Sequence, residues 1–513
     1  MVVTSRWPQF IDPERPDTHF LTQADYRLWS KQVAVSLRKA GLRTGDRVLL
    51  FSGNNIFSPV IFMGVLMAGG VFTGANPSFV ARELAYQLKD SGASFLIAAD
   101  SSMKIALEAA SEAGLPKNRI YSFDATALDS NPGKTTPGVH HWTALLGSKD
   151  EAAKFDWVEP TDPKTTICCL NYSSGTTGVP KGVEITHYNY VANGVGVLYM
   201  SESLQPDFEA WRKRSRQLCF LPLYHAFGQT YFTCNFPKLG IPVYMMPGFN
   251  FEKMLHSIES IGCGAAPLGK EISDEVVKLW PEGAVAVRQG WGMTELTCST
   301  MSWDPDMVSS SGAVGELMPN CKARIVKPES AEEVTTPNVP GELWVSGPTL
   351  MKGYWDKPDA TRSTVVVDAD GTRWLRTGDI GYIEDYRPGG LWHVVDRLKE
   401  LIKVKGNQVA PAELEAVLLE NKGVVDVAVV GVTINGEEVP RAYIVPDPAV
   451  KQSEKDVAAW MEGKVVHYKR LRGGVKFVEA VPKNPSGKIL RRQLRDQAAK
   501  EVGDKKPSAS KLA

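Results

Sequence analysis

Strand-like and helix-like segments alternate along the first part of the chain, and this alternation narrows the choice of fold more than any other feature. Residues 47–51 (RVLLF) and 94–99 (SFLIAA) are short apolar runs typical of buried strands, whereas residues 81–91 (ARELAYQLKDS) have helical spacing. Such a pattern predicts an α/β architecture with mainly parallel strands, whose ligand-binding loops gather at strand ends.

The chain has 513 residues, which is more than one hydrophobic core usually supports, so we expect a second domain. Near residue 396 the sequence becomes dense in charge and then continues with strand-like and helix-like runs that suit a small α+β domain. We predict a large multi-layer N-terminal domain over residues 1–395, a small C-terminal domain over residues 396–502, and a flexible tail over residues 503–513.

Composition excludes several classes of partner. The 58 basic residues equal the 58 acidic ones, so we expect no nucleic-acid partner, which usually requires a basic excess. The seven cysteines form no C-x-x-C pair, and the N-terminus does not resemble a secretion signal, which together indicate a reducing intracellular compartment.

Residues 56–75 are apolar enough to imitate a membrane span, but a proline and four glycines interrupt them. We therefore predict a buried helix leading into a strand.

The chain ends in SKLA. A terminal S-K-L is a peroxisomal address, but here Ala513 follows it. We expect a peroxisomal location if the S-K-L is the native end and a cytoplasmic one otherwise. The sequence leaves open whether Ala513 is native.

A loop rich in glycine and hydroxyl groups, YSSGTTGVPKG, occupies residues 172–182 and has the composition of a phosphate-binding loop. In a Walker A loop the lysine directly follows the last glycine and a helix starts there. Here Lys181 lies three residues after Gly178, with a proline before it and a glycine after it, and neither favours a helix. Because residues 183–186 (VEIT) alternate like a strand, we predict that the loop joins two strands.

Four further motifs follow this loop: GCGAAPLGK at 262–270, QGWGMTELT at 289–297, WLRTGDIGYIED at 374–385 and VPKNPSGKILRR at 481–492. Each alone would most often be an ordinary turn or a surface lysine. In this combination and order, the sequence resembles the adenylate-forming superfamily of acyl-CoA synthetases, adenylation domains and luciferases. Within it, the sequence is most similar to 4-coumarate:CoA ligase-like enzymes, to which the run VDRLKELIKVKGNQVAPAELE at 395–415 adds a match with the aryl-CoA ligase branch.

The resemblance implies a two-step reaction with ATP and coenzyme A. A carboxylate attacks the α-phosphate of ATP to give acyl-AMP and pyrophosphate, and the CoA thiol then displaces AMP to give a thioester. The implied acid is an aryl one, similar to cinnamate or benzoate, or a medium-chain one, and the implied metal is Mg²⁺. A large AMP-binding domain would carry most of the site, with the small domain as a mobile lid.

The resemblance also implies roles for individual residues. Thr294 would bind the α-phosphate, Glu295 would bind Mg²⁺, and Asp379 with Arg397 would bind the ribose. Trp291 would stack on the adenine, where many relatives carry tyrosine. The remaining implied ATP and AMP contacts are the phosphate loop (Ser173, Ser174, Gly175, Thr176, Thr177, Gly178 and Lys181), the adenine slot (Gly264, Ala265, Ala266 and Pro267), the turn around Trp291 (Gly290, Gly292 and Met293), and Lys403 with Gln408.

Lys488 would touch the carboxylate and the α-phosphate as they react, so it is the implied catalytic lysine, acting with His225, Thr294 and Glu295. It belongs to the small domain, and the phosphate loop belongs to the large one, so adenylation needs the two domains closed on each other. By resemblance, the hinge maps to Lys399, and the path of the CoA arm passes Lys405 and Gly406.

The acyl pocket maps to FLPLYHAFGQTYF at 220–232. His225 resembles the histidine that gates the carboxylate site, and we favour this role over an ordinary satisfied polar residue. Ala226, Phe227 and Tyr231 would form an apolar, partly aromatic wall.

Members of the family carry a strand, a Pro-Pro turn and a helix that have no counterpart between Glu259 and Ser260 of this sequence. The absence fits a splicing or gene-prediction loss, an engineered deletion, or residues omitted from the sequence. A real loss would remove a core strand and part of the acyl pocket, which should be strongly destabilising.

Three other functions share the same ATP motifs: luciferase-like oxidation of the adenylate, loading of a carrier protein in trans, and non-catalytic nucleotide binding. The ligase-like run at 395–415 argues against the first, and the absent segment keeps the last one open. The sequence specifies neither the acid nor the oligomeric state.

Overall fold

The computed structural model describes residues 7–129, 136–173, 180–204, 207–248, 261–263, 278, 287–304, 307, 312–405, 407–483 and 488–503. Within these ranges the architecture is mixed α/β, with a large N-terminal domain and a smaller C-terminal one. This agrees with the fold class that the strand–helix alternation predicts.

The largest sheet of the N-terminal domain is parallel through its centre and antiparallel at one side. In spatial order its strands are β20 (Gly353–Tyr354), β9 (Lys181–Thr186), β8 (Ile167–Ser173), β4 (Val71–Ala75), β3 (Arg47–Phe51), β5 (Ala93–Ala99), β6 (Ile120–Phe123) and β7 (His140–His141). The predicted strands at 47–51 and 94–99 are therefore confirmed.

Helices cover both faces of this sheet, because alternate residues of its strands are apolar on opposite sides. On β3, Val48 and Leu50 belong to one buried cluster, and Leu49 and Phe51 belong to the other. The described N-terminal helices are α1 (Gln23–Lys39), α2 (Ser58–Met67), α3 (Ala81–Ser91), α4 (Met103–Ala113), α5 (Lys149–Lys154), α6 (His187–Leu204), α7 (Phe208–Arg214), α8 (Ala226–Thr230), α9 (Phe236–Leu239) and α10 (Pro358–Thr364).

Local sequence sets the ends of α3, the predicted helix at 81–91. The amide of Val80 donates to the carboxylate of Glu83, which satisfies a donor at the helix start. The helix ends at Gly92, whose φ of +60° is left-handed and suits glycine at this position.

Among the described residues, three smaller sheets and one parallel pair of strands complete the N-terminal domain. The first sheet has the order β10 (Gln217–Cys219), β11 (Val243–Met245), β1 (Pro8–Ile11), β2 (Phe20–Thr22), and a separate pair is formed by β12 (Ile261–Cys263) and β13 (Val287–Gln289). The second sheet contains β14 (Trp291–Gly292), β15 (Ser299–Ser302) and β16 (Glu316–Leu317). The third contains β18 (Glu333–Val334), β17 (Lys322–Val326), β19 (Gly341–Ser346), β22 (Arg373–Ile383), β21 (Val365–Val367) and β23 (Trp392–Arg397), which pairs with β22.

The small domain is an α+β unit built on one long hairpin. Along β26 (Val424–Ile434), Val427 and Val429 pack in one core cluster, and Ala428 and Val430 pack in another. The other elements are β24 (Ile402–Val404), β25 (Asn407–Val409), α11 (Pro411–Leu419), β27 (Glu437–Pro446), α12 (Glu454–Glu462), β28 (Val475–Phe477) and α13 (Arg491–Glu501). Helix α11 covers the first cluster, and α13 covers the second.

The apolar stretch at 56–75 splits into the buried helix α2 and the strand β4, as predicted. Among the described helices, none is both long and apolar enough to cross a membrane. The domain boundary at 395/396 stays a prediction. Strand β23 continues two residues past it, where Arg397 pairs with Asp379 of β22.

Candidate active site

The phosphate loop is the connection of a β-hairpin. Strands β8 and β9 are antiparallel, and their register places Ser173 opposite Lys181 at the two ends of the loop. The predicted strand–loop–strand arrangement is therefore confirmed. Ser174, Gly175, Thr176, Thr177 and Gly178 lie outside the described residues.

Glu295 lies at the base of this hairpin, on a single helical turn over Thr294–Leu296. Its side chain is only 5 % exposed, and its Oε1 accepts hydrogen bonds from Ser173 Oγ at 3.1 Å and from the Tyr354 hydroxyl at 3.0 Å. Lys181 Nζ lies 5.0 Å from the centre of the Tyr354 ring. Burial, and then the nearby Glu295 carboxylate, raise the pKa of Tyr354, so its hydroxyl stays protonated as a donor.

A second carboxylate, Asp379, is held from two sides. Trp291 Nε1 donates to Asp379 Oδ2 at 2.9 Å, and Arg397 Nε lies 3.3 Å from Oδ1. Asp379 is 6 % exposed, and Gly378 before it has a left-handed φ of +70°, which explains the glycine at that turn. The indole of Trp291 thus contacts the acid implied to bind ribose.

Lys488, in the small domain, interacts electrostatically with both carboxylates, Asp379 and Glu295. The pKa of Lys488 is lowered to about 8, chiefly by burial and then by the positive charges of Arg397 and Lys399, whereas Asp379 and Glu295 oppose this shift. The structure therefore brings Lys488 within electrostatic range of the two carboxylates that the resemblance assigns to ribose and to the metal. The closed arrangement of the two domains stays a prediction.

His225 also reaches this centre. Burial, and then the positive charge of Lys488, lower its pKa to about 4, so the imidazole is neutral at physiological pH. Its ring lies 4.5 Å from that of Tyr224, and it precedes the first turn of α8. A neutral, partly buried ring that is coupled to Lys488 is compatible with the predicted gate.

The aromatic residues predicted to form the wall after His225 contact each other. The rings of Phe227 and Tyr231 stack with centroids 4.6 Å apart, and Ala226 is buried. Phe227 remains 42 % exposed, which leaves an aromatic face open. Tyr231 begins a π-helical turn over Tyr231–Asn235, a distortion often found at functional sites.

The structure describes the adenine-binding turn only in part. Gly292 passes so close to the chain that a side chain there would collide with the carbonyl oxygen of Cys298, and Gly290, Met293 and Thr294 flank it. Gly264, Ala265, Ala266 and Pro267 lie outside the described residues.

Lys403 and Gln408, implied to lie near AMP, pair across the hairpin β24–β25, and Lys405, implied for the CoA path, directly follows β24. Lys405 forms an ion pair with Glu437 at 3.2 Å, and the Lys403 amide donates to Glu438, so their described contacts lie within the small domain. Gly406 and the side chain of Gln408 lie outside the described residues. Lys399 is at the turn that follows β23.

Two tyrosines of the site were missed from the sequence. Tyr354 contacts Glu295 from strand β20, which is about 60 residues away in the sequence, and Tyr172 lies directly before the loop. Its place next to the loop is the only signal that could have identified Tyr172. Nothing near Tyr354 resembles a ligand motif.

The two-domain α/β fold, with a glycine-rich loop on a hairpin and two buried carboxylates coupled to one lysine, is that expected of a nucleotide-binding enzyme. Residues 4–260 and 250–355 match the family described as AMP-binding enzyme, and residues 413–488 match the AMP-binding enzyme C-terminal domain. The chain therefore belongs to the AMP-binding, adenylate-forming enzyme family.

Within that family it lies close to the 4-coumarate–CoA ligase-like enzymes. It is 35 % identical to a phenylacetyl-CoA ligase of Aspergillus niger, over 96 % of this chain and 94 % of that one. It is 33 % identical to a 4-coumarate–CoA ligase of Vanilla planifolia, over 93 % of this chain and 88 % of that one. ATP-bound MatB from Rhodopseudomonas palustris shares the fold, with a TM-score of 0.82 at 24 % identity over 98 % of this chain and 97 % of that one. The predicted family and enzyme class are confirmed.

These matches also bear on the absent segment. The family match divides into two pieces that overlap at residues 250–260, where the sequence predicts the loss. The alignment with the Aspergillus niger ligase spans 531 positions, which exceeds the 513 residues of the chain, so that relative has residues with no counterpart here. Residues 249–260 and 264–277 lie outside the described part, and the loss itself stays a prediction.

Proposed function

We propose that the chain is an ATP-dependent, AMP-forming carboxylate–CoA ligase with a single centre for both half-reactions. The observation that carries this proposal is the position of Lys488, a small-domain lysine whose charge is coupled to Asp379 and Glu295 of the large domain. A group so placed can touch a carboxylate and an α-phosphate that react between the two domains.

In the first half-reaction, a carboxylate oxygen of the acid forms a bond to the α-phosphorus of ATP. The bond from that phosphorus to the bridging oxygen of the β-phosphate breaks, and pyrophosphate leaves. Lys488, charged below its pKa of about 8, stabilises the negative charge that builds up on the transferred phosphate. Thr294 donates to the same phosphate, and the hairpin loop with Lys181 holds the leaving pyrophosphate.

The oxygen atoms of the Glu295 carboxylate suit one divalent cation as ligands. Glu295 Oε1 accepts two hydroxyl bonds, which leaves Oε2 to bind Mg²⁺ together with phosphate oxygens. When bound, the ion would neutralise phosphate charge. Asp379, oriented by Trp291 and Arg397, accepts hydrogen bonds from the ribose hydroxyls.

In the second half-reaction, the CoA thiolate attacks the acyl carbon, and the bond from that carbon to the AMP oxygen breaks. Lys488 must leave to open a path for the CoA arm, so we propose rotation of residues 396–502 about Lys399. The rotation would bring Lys403, Lys405, Gly406 and Gln408 toward the AMP and the CoA arm. His225, which is neutral, would then move away from its position beside the acyl group.

The acid we propose is an aryl or medium-chain carboxylic acid. The stacked, partly open rings of Phe227 and Tyr231 support an apolar, aromatic substrate, since aromatic pairs favour offset stacking with a further ring. The peroxisomal location stays a prediction, because the S-K-L lies outside the described residues.

Separate assays of the two half-reactions test the proposal. ATP–pyrophosphate exchange should appear with cinnamates, benzoates or medium-chain fatty acids, and CoA should then trigger release of AMP and acyl-CoA. Lys488→Ala should reduce the exchange by at least about a hundredfold, because the phosphate charge loses its partner. The same variant should keep most of its thioester formation from supplied acyl-AMP.

Equal loss of both half-reactions in Lys488→Ala would contradict the assignment of the lysine. Lys422→Ala, a surface lysine of the same domain, is the control. Exchange without CoA-dependent AMP release would favour carrier loading or oxidation of the adenylate, and no exchange with any acid would leave non-catalytic nucleotide binding.

A further inference from the structure

One polar cluster lies outside the implied ATP contacts and involves both ends of the phosphate loop. It consists of Tyr86 and Asp90 on helix α3, Tyr172 at the end of β8, and Lys357 just before α10. Tyr86 and Asp90 are four residues apart on a helix, so their side chains lie on the same face. We call these four residues the α3 clasp.

The clasp holds the loop on both sides. The Tyr172 hydroxyl donates to Asp90 Oδ2 at 2.7 Å, and Tyr172 is the residue before Ser173, where the loop begins. The Tyr86 hydroxyl donates to the carbonyl oxygen of Pro180 at 2.9 Å, next to Lys181 at the far end of the loop, and lies 3.3 Å from Asp90 Oδ1. Helix α3 therefore contacts both ends of the loop.

The Asp90 carboxylate is connected to Glu295 indirectly, through two sets of contacts. Lys357 Nζ lies 2.6 Å from Asp90 Oδ1, and Lys357 follows Tyr354, which donates to Glu295. Tyr172 precedes Ser173, the other donor to Glu295. Both hydroxyls that orient Glu295 are thus within three residues of a side chain bound by Asp90.

The charge of Asp90 suits this position. Its side chain is 13 % exposed and that of Lys357 is 28 % exposed, so water screens the pair only in part. Burial, and then the hydrogen bond to Asp90, raise the pKa of Tyr172, so the phenol keeps the proton that it donates. An ionised acceptor makes this bond stronger than a neutral one.

We propose that Asp90 is a positioning residue for ATP, which holds the two ends of the phosphate loop and the donors of Glu295 in the geometry that binds the β- and γ-phosphates. The proposal rests on the proposed function of the loop. It predicts a selective effect, because AMP has no β- or γ-phosphate and should not depend on the clasp.

The test compares the binding of α,β-methylene-ATP and of AMP, measured by calorimetry on the full chain. Asp90→Asn removes the charge, and Tyr172→Phe removes one hydroxyl with little change of volume. Each variant should raise the dissociation constant of α,β-methylene-ATP by about tenfold, which is the size of effect expected when a hydrogen bond to a charged group is lost. The dissociation constant of AMP should change by less than about twofold. The double variant should lose little more than either single one.

Lys89→Gln is the matched control, because Lys89 lies next to Asp90 on α3 but pairs with exposed Glu112. It should bind both nucleotides as the unmodified chain does. Equal weakening of both nucleotides in Tyr172→Phe, or no weakening of either, would overturn the proposal. Failure of the unmodified chain to bind either nucleotide would reject the proposed function first, and the clasp with it.

Discussion

At the scale of single residues, the site depends on how neighbours tune each functional group. Asp379 shows this best, because an indole N–H and a guanidinium hold its two oxygens. Trp291 therefore has a contact beyond the ring that it is proposed to offer to adenine. It also sets the orientation of the acid that is proposed to bind ribose, which a phenylalanine could not do.

Trp291→Phe should keep the adenine-facing ring and lose the hydrogen bond to Asp379. We expect the KM for ATP in pyrophosphate exchange to rise about fivefold, from a loss of about 1 kcal/mol, with little change in kcat. Trp157→Phe is the control, since it also removes an indole bond to a carboxylate, Glu159, but at the surface. An unchanged KM would show that the indole N–H has no part in ATP binding.

The lowered pKa of Lys488 predicts a pH dependence. Burial disfavours its charged form, so the lysine loses its proton as the pH rises through about 8, well below its ordinary range. Because the charged form stabilises the reacting phosphate, the rate of acyl-AMP formation should fall above that pH. Thioester formation from supplied acyl-AMP should lack this decline, as the thiolate of CoA becomes more abundant.

Initial rates of both half-reactions between pH 6.5 and 9.5 (roughly one unit and a half on either side of that pKa) check this prediction. Lys488→Arg should be slower but should lose the alkaline decline, since a guanidinium stays charged. An adenylation rate that stays flat across this range would contradict a catalytic role for the lysine charge.

At the scale of elements, the glycine-rich loop is determined by its flanking strands, and one described sheet ends near the position where a segment is predicted to be absent. Strand β10 is the last strand of its sheet in the described part, although Cys219 on it is fully buried, and β12 and β13 pair separately. A strand between β10 and β12 would join these two sheets. The break in the family match lies in the same part of the chain.

If the segment is missing only from the sequence, protein purified from its natural source should be heavier than 56.2 kDa. One strand, a turn and one helix amount to roughly 2–4 kDa at their average lengths. Intact-mass spectrometry decides this directly. A mass of 56.2 kDa together with pyrophosphate exchange would mean that the segment is truly absent and dispensable.

At the scale of the whole molecule, function depends on two domains that share one centre. Lys488 is electrostatically coupled to the large domain, whereas Lys403 and Lys405 make contacts within the small one. In the proposed mechanism one arrangement cannot serve both half-reactions, because Lys488 would occupy the space that the thiol must enter. The proposed hinge is the turn at Lys399, which follows β23.

Lys399→Pro should separate the two half-reactions. Proline fixes φ near −65°, so rotation about this residue should become restricted. We expect thioester formation from supplied acyl-AMP to fall about tenfold or more, and acyl-AMP formation to change little. Lys399→Ala, which keeps the backbone free, should retain both, and equal loss of both steps in the proline variant would place the hinge elsewhere.

Much of the fold could be predicted from local patterns. Apolar runs, helical spacing and the proline after the glycine-rich loop were sufficient for β3, β5, α3 and the hairpin around the loop, because short-range sterics and burial decide them. The family and the chemistry came from motifs that keep their order along the chain. Contacts between distant segments could not be predicted this way.

The sequence by itself determined the α/β class, the strand-joining nature of the loop and the family, since each depends on residues close together in the chain. Only the tertiary structure decided that Trp291 orients Asp379, that Tyr354 joins Ser173 on Glu295, and that Asp90 connects the two flanks of the loop. The physical reason is that hydrogen bonds and charge coupling act over a few ångströms in space. Packing fixes such distances, and they cannot be inferred from how far apart two residues are in the sequence.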